Sequence, residues 1–197
     1  SQAKKLRRNN IRHKKLYAAR TSKKASFKGA KKGLVILVNF KNLAMKTVNA
    51  QHEFEEMFNK KGYSKNGHIG SVRDYFLEQS YGDLAIDFDV VGPVTVSNDY
   101  AYYGANNNND EDQHAAEMVI EACKLVDDKV DFTAYDWDQD NNVDQVFIIY
   151  AGYGEHAGAS SNTIWPHEYQ LSDASRDGDG SGAQTLDGVT VDTYAVS

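Results

Sequence analysis

Apolar and polar positions along the chain follow two different periods. Leu34 to Phe40, L-V-I-L-V-N-F, is a continuous apolar run of strand length. Such a run is covered on both faces, which predicts a central strand. From Ala50 the apolar residues recur at Phe54, Met57 and Phe58, one face of a helix that Asn49 would cap and that reaches about Lys60. Ser71 and Asp74 have the S-x-x-D spacing of a capping box, opening a short helix with Val72, Tyr75 and Phe76 inward and Gly82 as its stop. Leu84, Ile86, Phe88 and Val90 alternate with Ala85, Asp87 and Asp89, the period of a half-exposed strand that Gly92 and Pro93 should break, with Val94 to Val96 as its possible continuation. His114 to about Val126 puts Ala115, Met118, Val119, Ala122, Cys123 and Val126 on one helical face, with Asp110, Glu111 and Asp112 near its positive end. Val146 to Tyr150 reads as a second buried strand, and Val189 to Val196 as an alternating edge strand. This order predicts an α+β layer with a mixed β-sheet and helices packed mainly on one face.

Between the long helix and the second buried strand lies D-W-D-Q-D-N-N-V-D, residues 136 to 144. A hard cation such as calcium takes six to eight oxygens, which a tight turn supplies from alternating positions. Asp136, Asp138, Asp140, Asn142 through its backbone carbonyl, and Asp144 occupy those positions. Position six, which favours a left-handed backbone, is Asn141, a residue that tolerates it. Position twelve, where a bidentate glutamate would close the site, is Phe147, so any further ligands come from water or from elsewhere in the chain. The alternative is an acidic, solvated turn before a strand; carboxylates this close repel one another unless a cation lies among them.

Charge changes the picture at the N-terminus. Residues 1 to 33 hold thirteen Lys or Arg and no acid, so the net charge of −6 conceals a body, residues 34 to 197, at −19. The basic extension has few large apolar residues and no amphipathic period, and cannot fold alone. Nucleic-acid binding through it is disfavoured by the acidic body behind it. Packing on that body, or service as a pro-segment or linker open to cleavage at Lys and Arg, fits better. No apolar stretch follows these charges, so they are not a signal peptide. No run of residues is long and apolar enough to span a membrane. Cys123 is the sole cysteine, which excludes an internal disulfide, and its place on the apolar helix face makes it a core thiol.

Other candidates are weaker. His114 has no second His four residues on, so it reads as a first-turn residue and not as a metal ligand. Tyr100, Tyr102 and Tyr103 in Y-A-Y-Y-G form a loop that covers a core edge or walls a substrate. Gly152, Gly154 and Gly158 permit sharp turns after the second buried strand, beside Glu155 and His156. The stretch 173 to 182 is glycine-rich and reads as a mobile loop, with Asp177 and Asp179 as a second, weaker cation pair.

Five segments in order carry a resemblance: G-L-V-I-L-V-N-F at 33 to 40, G-S-V-R-D-Y-F-L-E-Q-S-Y-G at 70 to 82, the Y-A-Y-Y-G loop, the acidic loop with its strand, and I-W-P-H at 164 to 167. Together they resemble the secreted metallopeptidases of the immune inhibitor A family. The resemblance implies the upper subdomain of a zincin-like protease domain over residues 34 to 197, calcium (Ca2+) at the acidic loop, peptide or protein substrates, and export to the medium or the bacterial cell surface. It also implies the remainder of the protease domain as a partner, because family members carry an H-E-x-x-H helix just past a strand like Val189 to Val196. None of the six His here has another four residues away. The zinc (Zn2+) ligands and the water-activating glutamate of the parent protein are therefore expected outside this chain, and no catalytic residue is assigned within it. Trp165, His167 and the 189 to 196 edge are candidates for the substrate cleft, Trp165 having a core anchor as its alternative. A rival expectation from another class is a non-catalytic, calcium-stabilised surface binding module.

Overall fold

The computed structural model describes residues 27–197. The basic extension, as far as residue 26, lies outside the described residues. The central element is β1 (Gly29–Asn39), which starts five residues before the apolar run that predicts it. Leu34 to Val38 are each no more than 1% exposed, so the run is buried on both faces as expected. Side chains buried to this degree each contribute on the order of 1.5–3 kcal/mol of transfer free energy.

Five strands form a mixed sheet in the order β2-β1-β3-β7-β4. Here β2 is Leu84–Thr95, β3 Val146–Tyr150, β4 His167–Gln170 and β7 Thr193–Val196. The first four in that order run parallel, and β4 closes one edge antiparallel to β7. A separate hairpin of β5 (Gln184–Leu186) and β6 (Val189–Val191) precedes β7.

Helices cover both faces of this sheet, which corrects the expectation of helices mainly on one face. Alternate side chains of a strand point opposite ways. Leu34, Ile36 and Val38 therefore pack with Met118, Val119, Ala122 and Cys123 of α4 (Ala115–Val126). Val35 and Leu37 face the other way, onto Ala50 and Phe58 of α1 (Ala50–Asn59), with Val72 of α2 (Val72–Gln79) beside them. The apolar run of β1 leaves no face for water, so a single helical layer could not have satisfied it.

Local chemistry explains the helix ends. Ser71 and Asp74 complete the predicted capping box, the Ser71 hydroxyl accepting from the Asp74 N–H and the Asp74 carboxylate from the Ser71 N–H. Asn49 stands at the predicted cap position of α1 but is left-handed (φ 54°) and makes no side-chain cap bond; only its carbonyl is used. Tyr75 points outward at 59% exposure instead of inward, because α2 lies near the margin of the sheet.

Other expectations change as well. β2 does not break at Gly92 and Pro93. It runs on to Thr95 through a register shift against β1, which among the described residues is its one neighbour in the sheet. The Y-A-Y-Y-G segment forms a short helix, α3 (Tyr100–Gly104), with Tyr103 buried. The stretch read as a mobile loop opens with α5 (Leu171–Arg176), whose Leu171 and Ala174 are in the core. The predicted edge strand Val189 to Val196 is two strands. Its second half, β7, is interior, and β4 takes the edge. Cys123 is a buried thiol as expected, pushed up to about 12 by burial.

Candidate functional site

The acidic loop is a turn held by its own carboxylates. Asp136 accepts the Asp140 and Asn141 N–H groups at 3.1 and 2.9 Å, and Asp140 accepts the N–H of Asn142 at 2.9 Å. These bonds bend the backbone inward, and Asn141 adopts the left-handed conformation anticipated for position six (φ 65°). Asp136, Asp138 and Asp140 thereby offer carboxylate oxygens within 4.8 Å of one another. Asn142 turns its side-chain amide onto the Asp140 carboxylate, at 3.0 Å from Oδ1. Asp144 lies outside the three-carboxylate group and accepts the Trp137 N–H at 2.6 Å.

The loop is anchored on three sides. Lys31 of β1 donates to the Trp137 carbonyl at 2.6 Å, and the Trp137 indole donates to the Lys32 carbonyl at 2.7 Å. Phe27 meets the Trp137 ring edge-on. Across the loop, Val143 donates to the Thr190 carbonyl and Thr190 to the Asn141 carbonyl, at 2.9 and 2.8 Å. The turn thus joins the N-terminal part of β1 to the β5–β6 hairpin. Three carboxylate oxygens from one turn are of the kind that could ligate a hard divalent cation.

At the opposite end of the strands lie the two cleft candidates. Trp165 is half-buried, its ring edge-on to His156, and its N–H points at the Asp112 carboxylate, 3.1 Å from Oδ2. His167, the first residue of β4, has Nδ1 2.6 Å from the Trp165 carbonyl and Nε2 3.2 Å from the Tyr194 hydroxyl. A carbonyl can only accept, so Nδ1 carries a proton toward it, while Nε2 lies within hydrogen-bond reach of the Tyr194 hydroxyl. The ring is a cross-link between the loop before β4 and β7.

Asp112 is the residue that the sequence pattern did not single out here. Its side chain is only 3% exposed, where the pattern placed it among acids favouring a helix end. The Tyr150 phenol, which donates to the Ile164 carbonyl at 2.7 Å, is held well above its ordinary range by burial and then by the Asp112 carboxylate. Tyr194 is raised still more firmly by burial, with the charges of Asp179, Tyr169 and Asp112 adding to it. No local signal marks Asp112, because its partners come from a loop distant in sequence. Of the expected site residues, Asp136, Asp138 and Asp140 come together, Asn142 and Asp144 stand beside them, and Trp165 and His167 form a second locus.

Residues 20–196 match the family model described as immune inhibitor A peptidase M6, catalytic domain. A curated relative, immune inhibitor A of Bacillus thuringiensis subsp. alesti, is 28% identical over 175 residues, a match covering 71% of this chain and 26% of the relative. The chain thus spans about a quarter of the length of that relative.

Proposed function

Because the chain belongs to the immune inhibitor A family of M6 peptidases, we propose that it is the N-terminal portion of the catalytic domain of a secreted, zinc-dependent endopeptidase, with a zincin-like upper subdomain. Residues 34 to 197 belong to that portion, the boundary moving back to Gly29 because residues 29 to 33 are already part of β1, and the basic residues before it are a pro-segment or linker. The observation that carries this reading is the family match, which runs from residue 20 to residue 196.

Calcium would be held by Asp136, Asp138 and Asp140, with the Asn142 carbonyl and Asp144 completing the shell. Its role is to neutralise the turn that links β1 to the β5–β6 hairpin. The described residues do not fit the zinc centre of a metallopeptidase, since no two His of the sequence stand four residues apart. In this reading the zinc ligands and the glutamate come from the rest of the protease domain, and the 197-residue chain alone hydrolyses nothing.

What the chain contributes is the binding of substrate. Among the described residues β4 has a sheet neighbour on one side only. An extended peptide would add to its outer edge through backbone hydrogen bonds, replacing the 189 to 196 edge expected from the sequence. Trp165 would wall the cleft, with its carbonyl fixed by His167.

The test is to express the coding region through and beyond Ser197 and assay hydrolysis of an unfolded protein. Zinc-dependent cleavage, lost in a chelator and in the 197-residue chain alone, is the expected result. A coding region that ends at Ser197, with no hydrolysis, would sink the reading and favour a calcium-stabilised binding module.

A further inference from the structure

A second group of ligand atoms lies where α4 begins. His114 Nδ1, a Glu117 carboxylate oxygen and an Asp179 carboxylate oxygen all lie within 4.8 Å of one another. We propose that these three residues form a site for a borderline divalent ion of the zinc class, clamping the glycine-rich segment after α5 onto the start of α4.

Four observations carry it. His114 Nδ1 is shielded from solvent and has no hydrogen-bond partner, although Glu117 Oε1 lies only 3.4 Å away. In a tetrahedral zinc site, with bonds of about 2.0–2.1 Å, two ligand atoms stand about 3.4 Å apart. The separation of the imidazole and the carboxylate is therefore the one that a shared ion requires, without the alignment of a hydrogen bond.

Each ligand is also oriented by a partner of its own. The His114 ring is stacked on Tyr102 at 4.3 Å with an interplanar angle of 6°. The Tyr102 hydroxyl donates to Glu117 Oε2 at 2.8 Å, leaving Oε1 for the ion. Asp179 accepts the Ala116 and Glu117 N–H groups at 2.7 and 3.2 Å. Such outer partners fix ligand direction in metal sites.

The donor set selects the ion. One imidazole nitrogen and two carboxylates suit zinc, with water as a fourth ligand; calcium wants six or more oxygens, which this site lacks. The site therefore differs in kind from the acidic loop. It also differs from a peptidase centre, because its carboxylates are tied to a helix start and a tyrosine. The ion would hold in place a segment whose Gly178, Gly180 and Gly182 all have positive φ and give it little stiffness of its own.

The experiment titrates the calcium-loaded 197-residue chain with Co2+, followed by visible absorption, and then displaces it with Zn2+ by calorimetry. One equivalent should bind, with the intense bands of a four-coordinate nitrogen and oxygen site. His114→Ala and Glu117→Gln should each weaken binding by at least about tenfold, the glutamine retaining an acceptor for Tyr102, while Glu78→Gln on the exposed side of α2 leaves the affinity unchanged. With metal bound, tryptic cleavage after the exposed Arg176 should slow, and slow less in His114→Ala. Absence of Co2+ and Zn2+ binding by the parent chain overturns the proposal, as does unaltered affinity in both His114→Ala and Glu117→Gln. Because no measurement involves hydrolysis, failure here is separate from failure of the peptidase reading.

Discussion

Replacing Asp138 by asparagine should stabilise the protein in the absence of calcium and shrink the stabilisation that calcium confers. The carboxylates of Asp136 and Asp140 are occupied by backbone N–H groups of the turn, whereas Asp138 accepts no hydrogen bond among the described residues. Neutralising it thus removes charge without removing a bond. With oxygens within 4.8 Å, each of its two like-charge pairs costs about 0.9 kcal/mol at the dielectric constant of water. That value suits an exposed side chain, and salt lowers it, so the relief without calcium is about 1–2 kcal/mol. With calcium the repulsion is already neutralised, and the substitution removes a ligand. A tenfold loss of affinity removes about 1.4 kcal/mol of the stabilisation that saturating calcium confers, which offsets most or all of that relief. For a domain of this size, about 2–4 °C in Tm corresponds to each kcal/mol. Thermal melts by circular dichroism should show Asp138→Asn about 2–8 °C above the parent in chelator, with its calcium-induced rise in Tm smaller than the parent's by about 3–6 °C. An equal calcium-induced rise in Tm in both proteins, or parent curves indifferent to calcium, would refute the assignment of a cation to this turn.

Four further outcomes follow from the packing. Gly104→Ala should destabilise by about 1–3 kcal/mol or more in urea unfolding, since a Cβ there would sit 2.6 Å from the Thr163 carbonyl carbon and against the Ile164 nitrogen, backbone atoms that cannot swing away. Ser71→Ala should cost about 1 kcal/mol through loss of the α2 cap. The Asp74 carboxyl lies below its ordinary 3.8, held there by N–H donors from Ser71 and then Gly62. Its contribution is therefore present above that pH and lost as pH falls through the lowered folded-state value, so the gap between parent and Asp74→Asn, followed by melting, should close in acid. Cys123, pushed up to about 12 by burial, should react with a thiol reagent at the rate of global unfolding and not at the rate of a free thiol at neutral pH.

Much of the scaffold was legible because it depends on neighbours in sequence. The apolar run of β1, the 3.6-residue period of α4, the limits of β3, the Ser71 to Asp74 cap and the left-handed Asn141 are each specified by residues a few positions apart. What failed depended on partners far along the chain. The 189 to 196 segment alternates like an edge strand, yet Thr193 to Val196 became interior because β4 returns antiparallel beside it. Tyr75 has the spacing of a buried residue but no layer above it. Glycine spacing suggested mobility after residue 173, whereas Leu171 and Ala174 of α5 reach the core and fix the start of that segment.

The two candidate loci divide in the same way. The three aspartates of the acidic loop were visible because one short turn supplies them all, and hydrogen bonds within that turn determine its shape. The meeting of His114 and Glu117 with Asp179, and of Asp112 with the Trp165 N–H, was decided only when the sheet brought separate loops together. By itself the sequence determined the local elements, the acidic turn and the family; the tertiary structure decided which faces are covered, which strand is the edge and which distant side chains share a space. The physical reason is that hydrogen-bond periodicity and capping act over a few residues. Strand order and loop convergence are instead chosen by long-range burial, which leaves no local mark.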